Sequence, residues 1–170
     1  MKLKRLSQLS KGRKHFIYFA QAIIIVVCLG GCTPKHTSYS DFSKIATFGW
    51  DKNAPIVIKP IYPDSLATYD LYLAVRHSSE YKYQNLWLFI DYYNNCDSLV
   101  KRDTVQYKLA NEFGKWYSNG FGSQYQYEEL IDQQVTSDIA HHIVIWHGMR
   151  NDTLKQIQDI GIRLDIKNDI

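Results

Sequence analysis

Residues 86–93 read Leu-Trp-Leu-Phe-Ile-Asp-Tyr-Tyr. Along an extended strand, Leu86, Leu88 and Ile90 point one way and Trp87 and Phe89 the other. Both sets are apolar over the first five residues, so the pattern predicts a central strand in a sheet covered on both sides. Trp87 and Phe89 are therefore expected in the core, together with Leu86, Leu88 and Ile90. Around this stretch the dominant period is two. Residues 70–77 alternate Leu71, Leu73 and Val75 against Tyr72, Ala74 and Arg76. Residues 103–109 set Val105, Tyr107 and Leu109 against Thr104, Gln106 and Lys108, the pattern of a half-exposed strand.

Further out, residues 54–62 are β-branched and interrupted by Pro60, the pattern of an edge or an entry strand. Residues 139–146 set Ile143 and Ile145 against Val144 and Trp146, and residues 157–166 align Ile160, Ile162, Leu164 and Ile166. Between residues 110 and 126 lies a Gly- and aromatic-rich stretch, a long loop in which Trp116 and Tyr117 form at most a short strand. Residues 127–136 fit a strand or a helical turn equally. About seven strands, with no amphipathic helix and with turn clusters between them, imply an all-β fold. The expected architecture is an antiparallel β-sandwich with jelly-roll-like connections. The aromatic content supplies large core side chains whose polar atoms reach the rim.

The N-terminus carries a different signal. Lys2, Lys4, Arg5, Lys11, Arg13 and Lys14 precede an apolar run from Phe16 to Leu29, which ends at Gly30-Gly31-Cys32. This is the three-part pattern of a secretory signal, too short for a comfortable membrane-spanning helix. Its Leu-x-Gly-Cys ending resembles a lipobox. It implies removal of residues 1–31 and a lipid, palmitate among its acyl chains, on Cys32. Residues 32–46 then read as a lipidated cysteine and a flexible tether spanning roughly 20 Å as a coil. Residues 47–170 form a single domain large enough to bury its own core.

Removal of the signal reverses the charge. The chain has 20 Lys and Arg against 17 Asp and Glu. Without the six N-terminal bases, 14 face 17, a net of −3. The apparent basicity is a targeting feature, and a nucleic-acid partner, which needs a clustered basic face, is not expected. Cys28 leaves with the signal and Cys32 is occupied, so Cys96 stands alone in a turn-like Asn-Asn-Cys-Asp string and no internal disulfide is expected. No acidic cluster follows Cys32, which favours the periplasmic face of the outer membrane over surface export.

No residue set announces a reaction. His141, His142 and His147 cannot meet one ion on a strand without a bulge, and no acid or cysteine lies at a matching spacing, so no metal site is expected. Glu80, Asp91, Glu112, Glu128 and Glu129 offer no preferred carboxylate pair. Nucleophile-elbow and phosphate-loop motifs are absent. No catalytic residue, no cofactor beyond the covalent lipid and no small-molecule substrate is expected. Two binding readings stand. The loop after Trp146 brings together His147, Arg150 and Asp152 as a candidate protein-docking surface, in which Arg150 would face a partner's acid or else tie the loop to Asp152 or Asp159. In that loop Gly148 permits a sharp turn, and Asn151 or Asp152 is placed to cap a helical turn through Leu154. Alternatively, Trp87, Trp116 and Trp146 would stack on sugar rings if exposed.

Several strings, in order, resemble one family. They are residues 70–76 (DLYLAVR), 83–90 (YQNLWLFI), 103–110 (DTVQYKLA), 114–116 (GKW), 147–154 (HGMRNDTL) and 160–163 (IGIR). Together with the lipobox they resemble the gliding-motility lipoprotein GldH family over nearly the whole mature domain. The resemblance implies a cell-envelope lipoprotein associated with gliding motility and its linked secretion machinery. It would act through contacts with other envelope proteins, and the family has no established catalytic residues to carry over. The Asn94–Lys101 connection departs from the family pattern, with Asn-Asn-Cys-Asp where a Pro/Gly turn is expected.

Overall fold

The structure, a computed structural model, describes residues 39–118 and 120–167. The signal peptide and Cys32 lie outside the described residues. Eleven strands follow one another: β1 (Tyr39–Lys44), β2 (Trp50–Asp51), β3 (Ile56–Ile58), β4 (Tyr69–Ser78), β5 (Asn85–Tyr93), β6 (Leu99–Lys108), β7 (Gly120–Phe121), β8 (Gln124–Val135), β9 (His142–His147), β10 (Thr153–Leu154) and β11 (Ile157–Ile166). Every pairing is antiparallel. They form a five-stranded sheet in the order β1-β11-β4-β8-β7, a four-stranded sheet in the order β3-β9-β5-β6, and a small β10-β2 pair.

The two larger sheets share one core. Leu71, Leu73 and Val75 of β4 and Ile160, Ile162 and Leu164 of β11 are buried on one side; Leu86, Leu88 and Ile90 of β5 and Ile143 and Ile145 of β9 are buried on the other. Tyr107 of β6 reaches across. Its ring packs edge-on against Tyr127 of β8, and its hydroxyl donates to the carbonyl of Leu73 at 3.2 Å. A buried phenol needs such a partner. Each inner face also carries one buried histidine, His77 on β4 and His147 on β9.

Several expectations require correction. Residues 39–44, read as tether, are β1: Phe42 lies over Gly161 of β11, where a Cβ would have no room, and pairing with β11 orders a segment that lacks apolar periodicity of its own. Residues 127–136 are strand through Val135, paired along β4, with irregular register near Leu130–Asp132 that disguises the alternation. Trp116 makes only an isolated bridge to Ala110. Asn151 and Asp152 cap no helix; Thr153 and Leu154 pair with β2 instead. Cys96 is exposed, in a turn closed by Asn94 Oδ1 accepting the N–H groups of Cys96 and Ser98. The largest correction concerns residues 86–93. β5 is central within its sheet, between β9 and β6. Its inner face is fully buried, whereas on its outer face Trp87 and Phe89 are 38% and 41% exposed.

Strand directions divide the loops between two ends. One end gathers the start of β1, residues 59–68, 94–98 and 136–141. The other gathers residues 46–49, 79–84, 109–118 and 148–152.

Candidate functional site

The outer face of the four-stranded sheet follows from period two. β5 turns Trp87, Phe89 and Asp91 outward, β9 turns Val144 and Trp146, and β3 turns Val57. Register aligns them across the strands. Phe89 lies between Trp146 and Thr104, Trp87 lies beside Gln106, and Asp91 lies between Val144 and Arg102. The result is a sheet face with an aromatic centre and a polar margin on β6.

Past Trp146 the chain folds back over this face. Gly148 donates its N–H to the carbonyl of Trp87 at 2.7 Å. A Cβ on Gly148 would stand 3.0 Å from the Phe89 ring. Glycine here leaves room for close approach to an aromatic, beside the sharp turn expected from the sequence. Met149 covers the next position, its sulfur accepting the N–H of Trp87 at 3.4 Å. The Tyr83 hydroxyl donates to Asn151 Oδ1 at 2.7 Å and ties this loop to the β4–β5 connection. Between them lies an open hollow of about 570 Å³, lined by Tyr83, Trp87, Phe89, Thr104, Met149 and Arg150. A second hollow of about 340 Å³, formed by Phe89, Asp91, Arg102, Thr104 and Trp146, adjoins it through Phe89 and Thr104.

Asp91 anchors the second hollow. Its carboxylate is buried and accepts two hydrogen bonds from Arg102, Nε to Oδ1 at 2.5 Å and Nη2 to Oδ2 at 2.6 Å. A buried carboxylate is tolerated only with such partners. The Arg102 side chain is 62% exposed, so the pair presents a fixed guanidinium edge beside Phe89 and Trp146.

The sequence-derived candidates divide. Trp87 and Trp146 belong to this face. Trp116 does not: it packs against His77 and Tyr125 at the margin of the other sheet, 4.5 Å from the His77 ring centre. His147 points inward, where its Nε2 lies 3.1 Å from the carbonyl of Trp50 and its ring meets Trp50 edge-on. Arg150 is exposed on the rim and makes no ion pair among the described residues. The tie expected from it is made by others: Asp152 pairs with Lys52 at 2.5 Å, and Asp159 pairs with Arg76. His147, Arg150 and Asp152 therefore form no single surface. His142 stacks on Tyr93 and faces outward, away from His147. Among the described residues no three His, Cys, Asp or Glu side chains are grouped to hold a metal ion.

Sequence reasoning missed Phe89 and the Asp91–Arg102 pair as surface features. The signal available was the polar alternation of the neighbouring β6. Thr104 and Gln106 beside Phe89 and Trp87 imply that nothing apolar lies above them.

Comparison with known proteins places these observations in a family. The sequence pattern of the GldH lipoprotein family matches residues 37–164. The gliding motility lipoprotein GldH homolog of Christiangramia forsetii is 24% identical over 84% of this chain and 91% of its own length. The gliding motility lipoprotein GldH of Flavobacterium johnsoniae is 22% identical over 86% of this chain and 94% of its own length. Among solved structures, that of tomato aspermy virus aligns with a TM-score of 0.42 and 9% identity over 89% of this chain and 94% of that one. A likeness this loose carries no argument.

Proposed function

This chain belongs to the GldH lipoprotein family, and on that premise we propose that it is a non-catalytic lipoprotein of the gliding-motility apparatus and its linked secretion machinery. It is held at the periplasmic face of the outer membrane by a lipid on Cys32 and works by docking another envelope protein. The domain is read as a β-sandwich of jelly-roll type. Setting aside β2, β7 and β10, the order β1-β11-β4-β8 opposite β3-β9-β5-β6 is the interleaving two Greek keys produce, which supports this reading.

The observation that carries the function is the uncovered aromatic face of Trp87, Phe89 and Trp146. Apolar rings gathered on one face and rimmed by polar groups mark an interaction surface. Phe89 and Met149 at its centre suit a protein partner, since aromatic residues and methionine are enriched at protein interfaces. A photo-crosslinking residue at position 87, in cells carrying the intact lipoprotein, is expected to capture one envelope protein. The same residue at position 72, on the other sheet's outer face, should not.

One observation favours the second reading, a glycan-binding lipoprotein: Trp87 is exposed, as sugar stacking requires. Retention of the protein on envelope polysaccharide, abolished by Trp87→Ala, together with no crosslinked protein, would replace the first reading with the second.

A further inference from the structure

We propose that the end of the domain where β1 begins is a membrane-contacting surface, which sets Ile61 and Leu66 into the lipid interface and holds the aromatic face away from it. The inference rests on the reading of Cys32 as the lipid anchor. Seven residues lead from Cys32 to Tyr39, the first residue of β1. A chain of that length reaches about 25 Å at full stretch. The tether is thus short, because residues 39–44 belong to the sheet, and it enters the domain at one end only.

That end is built for an apolar boundary. Leu66 is 93% exposed and Ile61 67%, both in the connection between β3 and β4. Pro60 and Pro63 bracket Ile61 and carry no N–H to leave unpaired. Asp64 and Tyr69 bind part of the connection's backbone. The Tyr69 hydroxyl accepts the N–H of Asp64 and donates to the Asp64 carbonyl, both at 2.8 Å. Asp64 Oδ1 accepts the N–H of Leu66 at 2.9 Å, and the Asp64 carbonyl accepts that of Ala67 at 3.4 Å. Backbone groups entering lipid must be satisfied internally, and around Leu66 the N–H groups of Asp64, Leu66 and Ala67 are. The neighbouring loop is bound in: Tyr62 donates to the carbonyl of Ala140 at 2.8 Å and Ser137 to that of Ser65 at 3.2 Å. That loop adds Ile139, also exposed. Tyr39, the half-buried first residue of β1, sits where the chain comes in, and a tyrosine with an apolar body and a polar tip suits the interface. Lys59 lies at the foot of the same connection, within reach of headgroup phosphates.

The opposite end carries Met149, Arg150 and Asn151. Strands of ten residues such as β4 and β11 put it roughly 30 Å farther along the sheet. An anchor at one end and a docking face toward the other would present the partner site outward from the bilayer.

The test uses the full lipoprotein, purified from membranes and reconstituted into phosphatidylethanolamine–phosphatidylglycerol vesicles. In a Cys96→Ser background, an environment-sensitive fluorophore is attached to Leu66→Cys or, at the far end, to Phe113→Cys. Nitroxide-bearing lipids with shallow labels are expected to quench most of the emission at position 66, with a blue shift, and none at position 113. Equal exposure of both positions to an aqueous quencher, on protein that floats with the vesicles, overturns the proposal and leaves the anchor intact. Protein that fails to float and whose intact mass shows no acyl chain on Cys32 removes the anchor reading as well, and the proposal with it.

Discussion

The two sheets have outer faces of similar raw material and opposite finish. On the five-stranded sheet, Phe42 lies flat over Gly161, and the Arg76 guanidinium stands 3.7 Å above the Phe42 ring. Arg163 stands 4.0 Å above the Tyr72 ring and bonds with Glu128 and Asp165. Every aromatic at the centre of this face has a cation as a lid, and every such arginine has an acid or amide beside it. On the four-stranded sheet Trp87, Phe89 and Trp146 carry no such lid among the described residues, and the arginine of β6, Arg102, is turned onto Asp91. An arginine over a ring satisfies an aromatic surface within the molecule. A bare ring leaves that satisfaction to something else.

The sharpest way to break this contrast runs along β5 itself. Leu88→Ala, on the inner face, is expected to cost about 2–5 kcal/mol in denaturant melts, the range for emptying a buried leucine site. Equal losses at Leu88 and Phe89 would mean that both faces are covered and that the aromatic face is not free.

Next in size is the ion pair. Arg102→Ala strands the buried Asp91 carboxylate and should cost about 1–3 kcal/mol. Arg163→Ala on the opposite face leaves Glu128 better placed to reach water and should cost under about 1 kcal/mol. Denaturant midpoints of the two variants, measured side by side, check the ordering; a reversed order would place the structurally important arginine on the other sheet.

The two inner faces meet acid in the same way. Burial lowers the pKa of His77 and of His147, opposed by hydrogen bonds to the carbonyls of Ser78 and Trp50 respectively. In the unfolded chain each titrates near about 6.5. Below that value, down to the depressed folded value, the unfolded chain binds more protons, so stability is complete above about pH 6.5 and is lost as the pH falls. Melting temperature should therefore fall between about pH 7 and pH 5. His77→Gln and His147→Gln together should flatten that slope, even at a lower baseline. A slope unchanged in the double variant assigns it to carboxylates.

The smallest effect on stability is expected at Trp87→Ala, within about 1 kcal/mol, because the residue already keeps 38% of its surface in water. The same change should abolish capture of the partner at this face, while Tyr72→Ala should leave capture intact. Trp87→Ala with full capture would transfer the docking role to another surface.

Much of the architecture was legible in residue order alone. The period-two runs at 70–77, 103–109, 139–146 and 157–166 mark β4, β6, β9 and β11, since each buries one face and a strand reports burial by alternation. Pro60 demoted its run to an edge, and β3 is an edge strand that stops before it. β1 escaped because its order comes from Gly161 and β11, residues more than a hundred positions away. β8 was undecided because register shifts break its alternation.

The candidate site was legible only in part. Trp87 and Trp146 were recognisable as rings that would stack if exposed, and the loop at 148–152 as a rim. His147 was misread because a histidine beside a glycine in a loop-like string looks the same whether it faces water or Trp50.

Sequence by itself determined the strands that alternate without interruption, their inner faces and the family, because a side chain's alternation and its apolar character are properties of the chain. Tertiary structure alone decided which aromatics are covered. Tyr72 lies under an arginine because Arg163 comes from the adjacent strand β11, and Phe42 because Arg76 reaches it from β4 across Gly161. Trp87 and Phe89 stay partly exposed because β6 puts Thr104 and Gln106 beside them, and the loop at 148–149 crosses the face without a cation over either ring. A strand with two apolar faces states what needs burial, and only the neighbouring strands and loops determine whether the molecule supplies it.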